Sequence, residues 1–262
     1  MDDPLEVTYN PSFEDLLQHQ CPKVAFFHIG KTAGTSIQVA LSRYLSDTKI
    51  KLYEYHCYDA NLRIADLASR LDSLPELSIV VSVREPLARW ISAWNWDCYK
   101  LSIDHSFVDS WPELKASLLA YQSCPALVDG LRRDEPGAKV VANYGHMYMG
   151  HSWYLHSQIV SSFKECHMNV VTFEHLGQDL LATINQIRAR FGYPLICSID
   201  LPREKTDYQS HAVGFPFASV NELSSPQVDF MKDKILCADY QAIRCLSQQV
   251  GQWPMGCEVA TG

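Results

Sequence analysis

The residues best suited to chemistry form the segment at positions 27–36, which reads Phe-His-Ile-Gly-Lys-Thr-Ala-Gly-Thr-Ser. A short apolar run typical of a buried parallel strand leads into it, and a helical pattern follows it. The first backbone N–H groups of a helix have no partner inside the helix, and the helix dipole adds positive potential there. Gly30, Ala33 and Gly34 let an anion approach the backbone closely, and Lys31 adds a full positive charge.

This segment therefore predicts a phosphate or sulfate site. Three hydroxyl groups add hydrogen-bond donors, those of Thr32, Thr35 and Ser36. The lysine precedes the second glycine, so the order of residues differs from that of the nucleotide triphosphatase loop. The alternative is an ordinary strand-to-helix turn with a surface lysine.

A second candidate element follows the apolar strand predicted at 78–83. Arg84 lies at the carboxyl end of that strand, where open parallel sheets bind ligands. If Pro86 begins a helix, Arg89 and Ser92 are three residues apart and share a face. A guanidinium and a hydroxyl together suit a terminal phosphate. The alternative is a salt bridge from Arg84 at the sheet edge and a small packing residue at position 92.

A parallel sheet is needed to bring these two segments together. Strands are predicted at 24–28, 52–56, 78–83 and 169–173, and helices at 12–19, 35–45, 61–71, 86–99, 111–121, 153–163, 176–191, 225–236 and 238–249. Strands that alternate with helices predict a P-loop-like three-layer α/β/α fold with a central parallel sheet. We interpret 1–262 as one domain, with 1–22 as a polar lead-in and 193–222 as a candidate lid loop.

Composition excludes several classes of partner. The net charge of −8 argues against nucleic acid and against an anionic membrane surface. The nine cysteines are odd in number and contain no CxxC pair, which favours reduced thiols over a disulfide framework or a structural zinc site. The acidic start MDDPLEVTYN has no signal-peptide pattern, and no apolar run reaches the length of a membrane span. We therefore expect a cytoplasmic protein with no membrane partner.

The string from His28 to Ser36 resembles the HIPKTAGTS signature of a family of sulfotransferases. That family includes the heparan-sulfate uronosyl 2-O-sulfotransferases and many small bacterial enzymes. The string departs from the signature at Gly30, where the family commonly has proline, which loosens the turn but removes no ligand. The pattern from Arg84 to Ser92, R-x-P-x-x-R-x-x-S, is similar to the same family's 3′-phosphate element. Strong similarity covers about a quarter of the chain.

The resemblance implies a donor and a set of contacts. The donor would be 3′-phosphoadenosine 5′-phosphosulfate (PAPS), the product 3′-phosphoadenosine 5′-phosphate (PAP), and no metal would take part. The loop would bind the 5′-phosphosulfate through residues 30–36, with Lys31 near the bridging oxygen. Arg84 and Ser92 would bind the 3′-phosphate, and Arg89 would assist.

Sulfuryl transfer also needs a group that takes the proton of the acceptor. The family often has a catalytic histidine near the end of the second predicted strand, so the resemblance implies His56, whose ordinary pKa near 6.5 suits the task. Glu54 is the reserve candidate. His28 is interpreted as a residue that supports the loop. The alternative for His56 is a hydrogen-bonded core or rim histidine.

The segment at 143–154 is rich in aromatic and histidine residues, which suits an acceptor pocket. Its candidate acceptor contacts are His146, Tyr148, His151 and Trp153. The alternative is a buried loop with core aromatics, and the histidines are five residues apart, a spacing that does not favour a metal site on one helical face.

Arg203 and Lys205 lie in the candidate lid loop. Because a late loop closes over the nucleotide in sulfotransferases, the resemblance implies that one of them reaches a phosphate. The alternative is a charged surface loop.

These expectations together describe an enzyme that transfers a sulfuryl group from PAPS to a hydroxyl or an amine. A small molecule such as a natural product is the expected acceptor, and a glycan is the alternative. Two rivals remain at this point: a nucleotide or nucleoside kinase that uses the same phosphate-loop physics, and a non-catalytic nucleotide-binding protein of the same fold.

Overall fold

The computed structural model describes residues 5–103, 111–163, 168–201 and 217–250. Its strands are β1 (Val7–Tyr9), β2 (Lys23–Phe27), β3 (Lys51–Tyr55), β4 (Leu77–Val83) and β5 (Met168–Thr172). Its helices are α1 (Phe13–Leu17), α2 (Gly34–Tyr44), α3 (Ala60–Ser69), α4 (Pro86–Ile103), α5 (Pro112–Ala120), α6 (Cys124–Arg132), α7 (Pro136–Ala142), α8 (Gly145–Tyr148), α9 (His151–Tyr154), α10 (Ser157–Ser162), α11 (Leu176–Arg190), α12 (Ser225–Phe230) and α13 (Cys237–Val250). Short 3-10 turns lie at Leu71–Ser73 and Val220–Glu222, and a π-helical turn at Met231–Ile235.

The five strands form one all-parallel sheet in the order β1-β3-β2-β4-β5. Register pairs Phe27 of β2 with Tyr55 of β3 and with Val81 of β4. Strands β2 and β4 are buried at every position, as expected for strands that are covered on both faces. The expectation of a mixed α/β fold with a central parallel sheet is confirmed.

A layer of helices covers each face of this sheet. On one face, Val24 and Phe26 pack with α2 and α11, whose buried residues include Ile37 and Ile184. The alternate residues of β2 point to the opposite face, where the ring centroid of Phe27 lies 5.7 Å from that of Phe163, just after α10. Helix α3 packs against β3 and α10. The result is the expected three-layer α/β/α arrangement.

The chain divides into two compact units. Unit 1 comprises Met1–Arg84, His151–Glu204 and Gln241–Gly262 and contains the sheet. Unit 2 comprises Glu85–Gly150 and Lys205–Tyr240. The interpretation of 1–262 as one domain stays a prediction.

Unit 2 has a hydrophobic core of its own, built around α4. The apolar residues Leu87, Trp90, Ile91 and Trp94 recur at helical spacing and are buried. The amide of Asn95 exchanges two hydrogen bonds of 2.8 Å with the backbone of Ala218. These two hydrogen bonds connect α4 to the late part of unit 2.

Several expectations about local structure need correction. Residues 1–22 are more than a polar lead-in, because Val7–Tyr9 adds an edge strand to the sheet. The helix expected at 153–163 is two short helices, α9 and α10. Of the candidate lid loop at 193–222, residues 202–216 lie outside the described residues. The described part from 193 to 201 packs on α11, and the carbonyl oxygen of Ile196 accepts a 3.0 Å hydrogen bond from Asn185.

None of the helices in the described ranges combines the length and the apolar character that a bilayer crossing requires.

Candidate functional site

The carboxyl edge of the sheet brings the main candidate residues of unit 1 together. The loop at 28–33 follows β2, His56 follows β3, and Arg84 follows β4. The connection after β2 leads to β3 on one side, whereas the connection after β4 leads to β5 on the other side. Neighbouring strands whose connections run in opposite directions create a crevice at their carboxyl ends, which is where open α/β sheets bind ligands. The sheet order therefore places the loop and Arg84 on either side of such a crevice.

The loop has the backbone conformation of an anion-binding turn. Lys31 and Ala33 are left-handed, with φ of 70° and 65°. Left-handed residues that alternate with ordinary ones turn successive N–H groups toward one point, which forms a concavity for an anion. Helix α2 begins directly after Ala33, and no side chain caps its first N–H groups. The side chains of Lys31, Thr35 and Ser36 are partly exposed at this point.

Thr32 supports the loop from inside. Its side chain is fully buried, and its hydroxyl lies 2.6 Å from both the carbonyl oxygen of Ile29 and the Oγ of Ser82. The hydroxyl donates to that carbonyl and accepts from Ser82. The expectation that the Thr32 hydroxyl binds the anion is therefore corrected: this hydroxyl fastens the loop to β4.

Arg84 lies at the end of β4 and contacts the loop, while its expected contact with the 3′-phosphate stays a prediction. Its guanidinium donates a 3.3 Å hydrogen bond to the carbonyl oxygen of Lys31 and lies 4.0 Å from the ring centroid of Phe173. The backbone N–H of Arg84 donates to Nε2 of His151 at 3.4 Å. These contacts fix a cationic group beside the loop. Phe173 and Ser82 were not among the predicted site residues, because nothing in the local sequence pattern shows which strand ends are adjacent.

Arg89 and Ser92 lie on α4 in unit 2. Arg89 is fully buried, and its guanidinium donates to the carbonyl oxygens of His146 at 2.8 Å and Met147 at 3.4 Å. The expected phosphate contact of Arg89 is therefore corrected to a structural role, since this guanidinium supports α8. Ser92 is partly buried on the same helix, and its phosphate contact stays a prediction.

Two histidines are stacked at the edge of unit 1. The rings of His28 and His56 have centroids 3.9 Å apart and an interplanar angle of 14°. Nδ1 of His28 lies 2.5 Å from the carboxylate of Glu54, and both side chains are buried. A Cβ added at Gly34 would lie 1.8 Å from the His28 ring, so this ring packs directly on the start of α2. The interpretation of His28 as a support for the loop agrees with these contacts.

Glu54 was the reserve candidate for the base. Its side chain is 3% exposed and one carboxylate oxygen contacts His28. A carboxylate in this position orients the imidazole and has little access to an incoming acceptor. Its assignment is therefore corrected from a reserve base to a residue that positions His28.

The hydrogen bonds of His56 define which nitrogen can act as a base. Nδ1 lies 2.7 Å from the carbonyl oxygen of His28, and because a carbonyl oxygen only accepts, Nδ1 carries the proton. The lone pair is then on Nε2, which lies 3.1 Å from Sγ of Cys57. The side chain of Asn10 makes two hydrogen bonds with the backbone of His56, at 2.9 and 3.0 Å. His56 is thus held as the tautomer that a general base requires.

The expected acceptor contacts fall in both units. In unit 2, Nδ1 of His146 pairs with Asp97 at 2.9 Å, and Tyr148 is exposed. In unit 1, the ring of Trp153 meets Tyr154 edge-on. His151 is fully buried and accepts the hydrogen bond from the backbone of Arg84, so its expected contact with an acceptor is corrected to a role in positioning Arg84.

Arg203 and Lys205 lie outside the described residues, and their contact with a nucleotide phosphate stays a prediction. Sequence reasoning did not select Cys57, Asn10 or Asp97. The adjacency of Cys57 and His56 in the chain was the one available signal for this group. Asn10 and Asp97 reach their histidines across 46 and 49 residues, a separation that no local pattern encodes.

Comparison with known proteins found no matching family model, no matching curated protein and no matching solved structure.

Proposed function

We propose that this chain is a PAPS-dependent sulfotransferase that transfers a sulfuryl group to a hydroxyl or an amine. The observation that carries the proposal is the loop at 28–33. It combines two left-handed residues, a lysine and an uncapped helix start at the crevice between β2 and β4. Arg84 contacts the same loop from the neighbouring strand. Two cationic groups beside a concave backbone suit a ligand with several anionic groups.

In the proposed reaction the backbone of the loop binds the 5′-phosphosulfate. The acceptor oxygen or nitrogen attacks sulfur, the bond between sulfur and the bridging oxygen breaks, and PAP leaves. Lys31 stabilises the charge that develops on the leaving phosphate. The acceptor group replaces the Cys57 thiol as the hydrogen-bond donor to Nε2 of His56. Nε2 then takes the proton of the acceptor. No step of this scheme calls for a metal ion.

We further propose a small molecule such as a natural product as the acceptor, because a net charge of −8 disfavours a polyanionic polymer. A glycan is the alternative acceptor class. Seven cysteines in the described residues are free thiols, which supports a reducing compartment such as the cytoplasm.

The test is a transfer assay with PAPS labelled in its sulfuryl group and a panel of phenols, alcohols, amines and oligosaccharides. The proposal expects labelled product and stoichiometric PAP with at least one acceptor. Parallel reactions with ATP and Mg²⁺ serve as the comparison donor. Phosphoryl transfer from ATP without any transfer from PAPS would identify a kinase and overturn the proposal. PAP binding without turnover on any acceptor would identify a non-catalytic nucleotide-binding protein.

A further inference from the structure

Cys57 and His56 form a thiol–imidazole pair at the carboxyl end of β3. Sγ of Cys57 lies 3.1 Å from Nε2 of His56. Because Nδ1 of His56 carries the proton that it donates to the carbonyl oxygen of His28, Nε2 is the acceptor and the thiol is the donor. A nucleophile beside a base that a third group orients is the arrangement that activates thiols in proteins.

The backbone keeps the thiol in this position. Cys57 is left-handed with φ of 55°, and the next residue, Tyr58, has φ of 48°. The N–H of Cys57 donates a 3.1 Å hydrogen bond to the hydroxyl of Tyr154. Asn10 fixes the backbone of His56 on the other side. The pair therefore depends on contacts from three separate parts of unit 1.

The other cysteines provide internal comparisons. Cys98 and Cys124 are buried, and burial raises the pKa of both thiols, that of Cys124 to about 12. Cys197 is exposed, and the described part of the chain gives its thiol no hydrogen-bond partner. Cys57 is partly exposed and adjoins a base. Comparing Cys57 with Cys197 therefore separates the effect of the base from the effect of exposure.

We propose that Cys57 is a modification site for soft carbon electrophiles, activated by His56, and that modification there blocks Nε2 of His56. The thiol proton moves to Nε2, and the thiolate sulfur attacks the electrophilic carbon. With an α-haloamide, the sulfur–carbon bond forms, the carbon–halogen bond breaks, and halide leaves. The imidazolium then returns its proton to water. The reactivity of the thiol is independent of the function proposed above, whereas its effect on turnover rests on that function.

The first experiment measures the alkylation rate of each cysteine. The full chain is treated with iodoacetamide for short times in the presence of EDTA, and modified peptides are quantified by mass spectrometry between pH 6 and pH 9. At pH 7 we expect Cys57 to react about tenfold faster than Cys197. We expect His56→Gln to remove this advantage and to leave the rate of Cys197 unchanged.

Equal or slower alkylation of Cys57 in the wild-type protein would overturn the proposal without any variant. An unchanged Cys57 rate in a folded His56→Gln protein, with folding checked by circular dichroism, would also overturn it.

The second experiment links the thiol to turnover. We expect transfer activity to fall in step with alkylation of Cys57, and Cys57→Ser to remain active after the same treatment, because serine cannot be alkylated under these conditions. If iodoacetamide inactivated Cys57→Ser as much as the wild type, the claim that modification of Cys57 blocks His56 would be overturned. If the untreated protein transfers nothing while Cys57 still reacts fast, the proposed function fails and the assignment of the reactive thiol stands.

Discussion

Lys31 is partly exposed and has a positive φ of 70°, and its carbonyl oxygen accepts a hydrogen bond from Arg84. The left-handed conformation helps to direct the backbone N–H groups of the loop toward one point, and the side chain of Lys31 adds a positive charge. Residues other than glycine seldom adopt this left-handed backbone conformation. Where they do, the surrounding structure stabilises it, and such residues cluster at functional sites. At the residue scale, the proposed function depends on this combination.

Replacement of Lys31 tests its charge. If Lys31 stabilises the leaving phosphate as proposed, we expect Lys31→Ala to lower kcat for sulfuryl transfer by about 100-fold to 1,000-fold. Steady-state kinetics with labelled PAPS measure the change. Lys49→Ala, at an exposed position in the turn before β3, is the matched control and should leave kcat unchanged. Equal kcat values for Lys31→Ala and the wild type would contradict the assignment.

Glu54 is expected to act through His28. Glu54→Ala leaves the buried imidazole without its carboxylate, so we expect the free energy of unfolding to fall by about 1–3 kcal/mol. Urea denaturation measures this difference. Glu76→Ala, at an exposed position before β4, should change the free energy of unfolding by less than about 0.5 kcal/mol. Equal free energies of unfolding for Glu54→Ala and Glu76→Ala would show that the contact between His28 and Glu54 does not stabilise the fold.

Helix α2 requires glycine at its first residue. The ring of His28 occupies the space where a side chain at position 34 would begin. This explains at the level of the element why α2 begins with a glycine: the ring of His28 and the start of the helix lie in direct contact. The local sequence pattern does not predict this contact between His28 and Gly34. It predicts only that small residues let an anion approach the backbone.

Gly34→Ala should therefore disturb the loop. We expect PAP affinity to fall at least about tenfold, because either the ring of His28 or the start of α2 must shift. Gly177→Ala in α11 is the matched control, since a Cβ there would meet its nearest neighbour at an ordinary 3.5 Å. Calorimetric titration with PAP compares the two variants, and equal affinities would contradict the contact between His28 and α2.

Helices α2 and α11 are connected by an ion pair beyond the end of α2. Arg188 donates to both carboxylate oxygens of Asp47, at 2.6 and 2.8 Å, and holds the pKa of Asp47 below its ordinary value. A carboxyl group with a lowered pKa in the folded state contributes stability above its unfolded pKa near 4 and loses it as the pH falls through the folded pKa.

The melting temperature should report this linkage. We expect the melting temperature of the wild type to exceed that of Asp47→Asn at pH 6, and this difference to shrink as the pH falls below the unfolded pKa near 4 and through the lowered folded pKa. Thermal unfolding between pH 2.5 and pH 7 measures it. Asp200→Asn, which removes an exposed partner of Arg43 at 3.8 Å, should change the melting temperature little at any pH. If the melting temperatures of the wild type and Asp47→Asn differed more as the pH fell, the result would contradict a lowered pKa of Asp47.

The two ends of the parallel strands adjoin different features of the molecule. The carboxyl edge carries the loop, the histidine stack and Arg84. The opposite edge adjoins a cavity of about 300 Å³ lined by residues that include Leu17, Lys23 and Leu77. Lys23 and Leu77 begin β2 and β4, so this cavity lies at the amino edge. If ligand binding follows the switch in strand connections, the nucleotide binds at the carboxyl edge.

Hydrogen exchange across the whole chain separates these two sites. We expect saturating PAP to slow amide exchange at 29–36 and in the peptide that contains Arg84, and to leave the exchange of residues 73–77 unchanged. Exchange is followed by mass spectrometry with and without PAP. Protection confined to 73–77 would place the ligand at the cavity and contradict the account.

Across the molecule, the alternation of strands and helices was predictable because buried strands and amphipathic helices have distinct patterns. Strand β1 was missed because it has only three residues, two of them exposed. Helices α6 and α7 were missed because each has a proline in its first turn, Pro125 in α6 and Pro136 in α7, and proline is also typical of turns. The positions of the loop between β2 and α2 and of Arg84 after β4 were predictable from local residue types. The burial of Arg89 and His151 was not, because it depends on contacts between distant segments.

The central claim is that the loop around Lys31 and the guanidinium of Arg84 bind one nucleotide. The most direct measurement is a calorimetric titration of PAP into the wild-type protein, Arg84→Ala and the control Arg43→Ala. We expect one PAP per chain, affinity at least about tenfold lower for Arg84→Ala, and wild-type affinity for Arg43→Ala. Absence of PAP binding to the wild-type protein, or equal affinity in all three proteins, would contradict the claim.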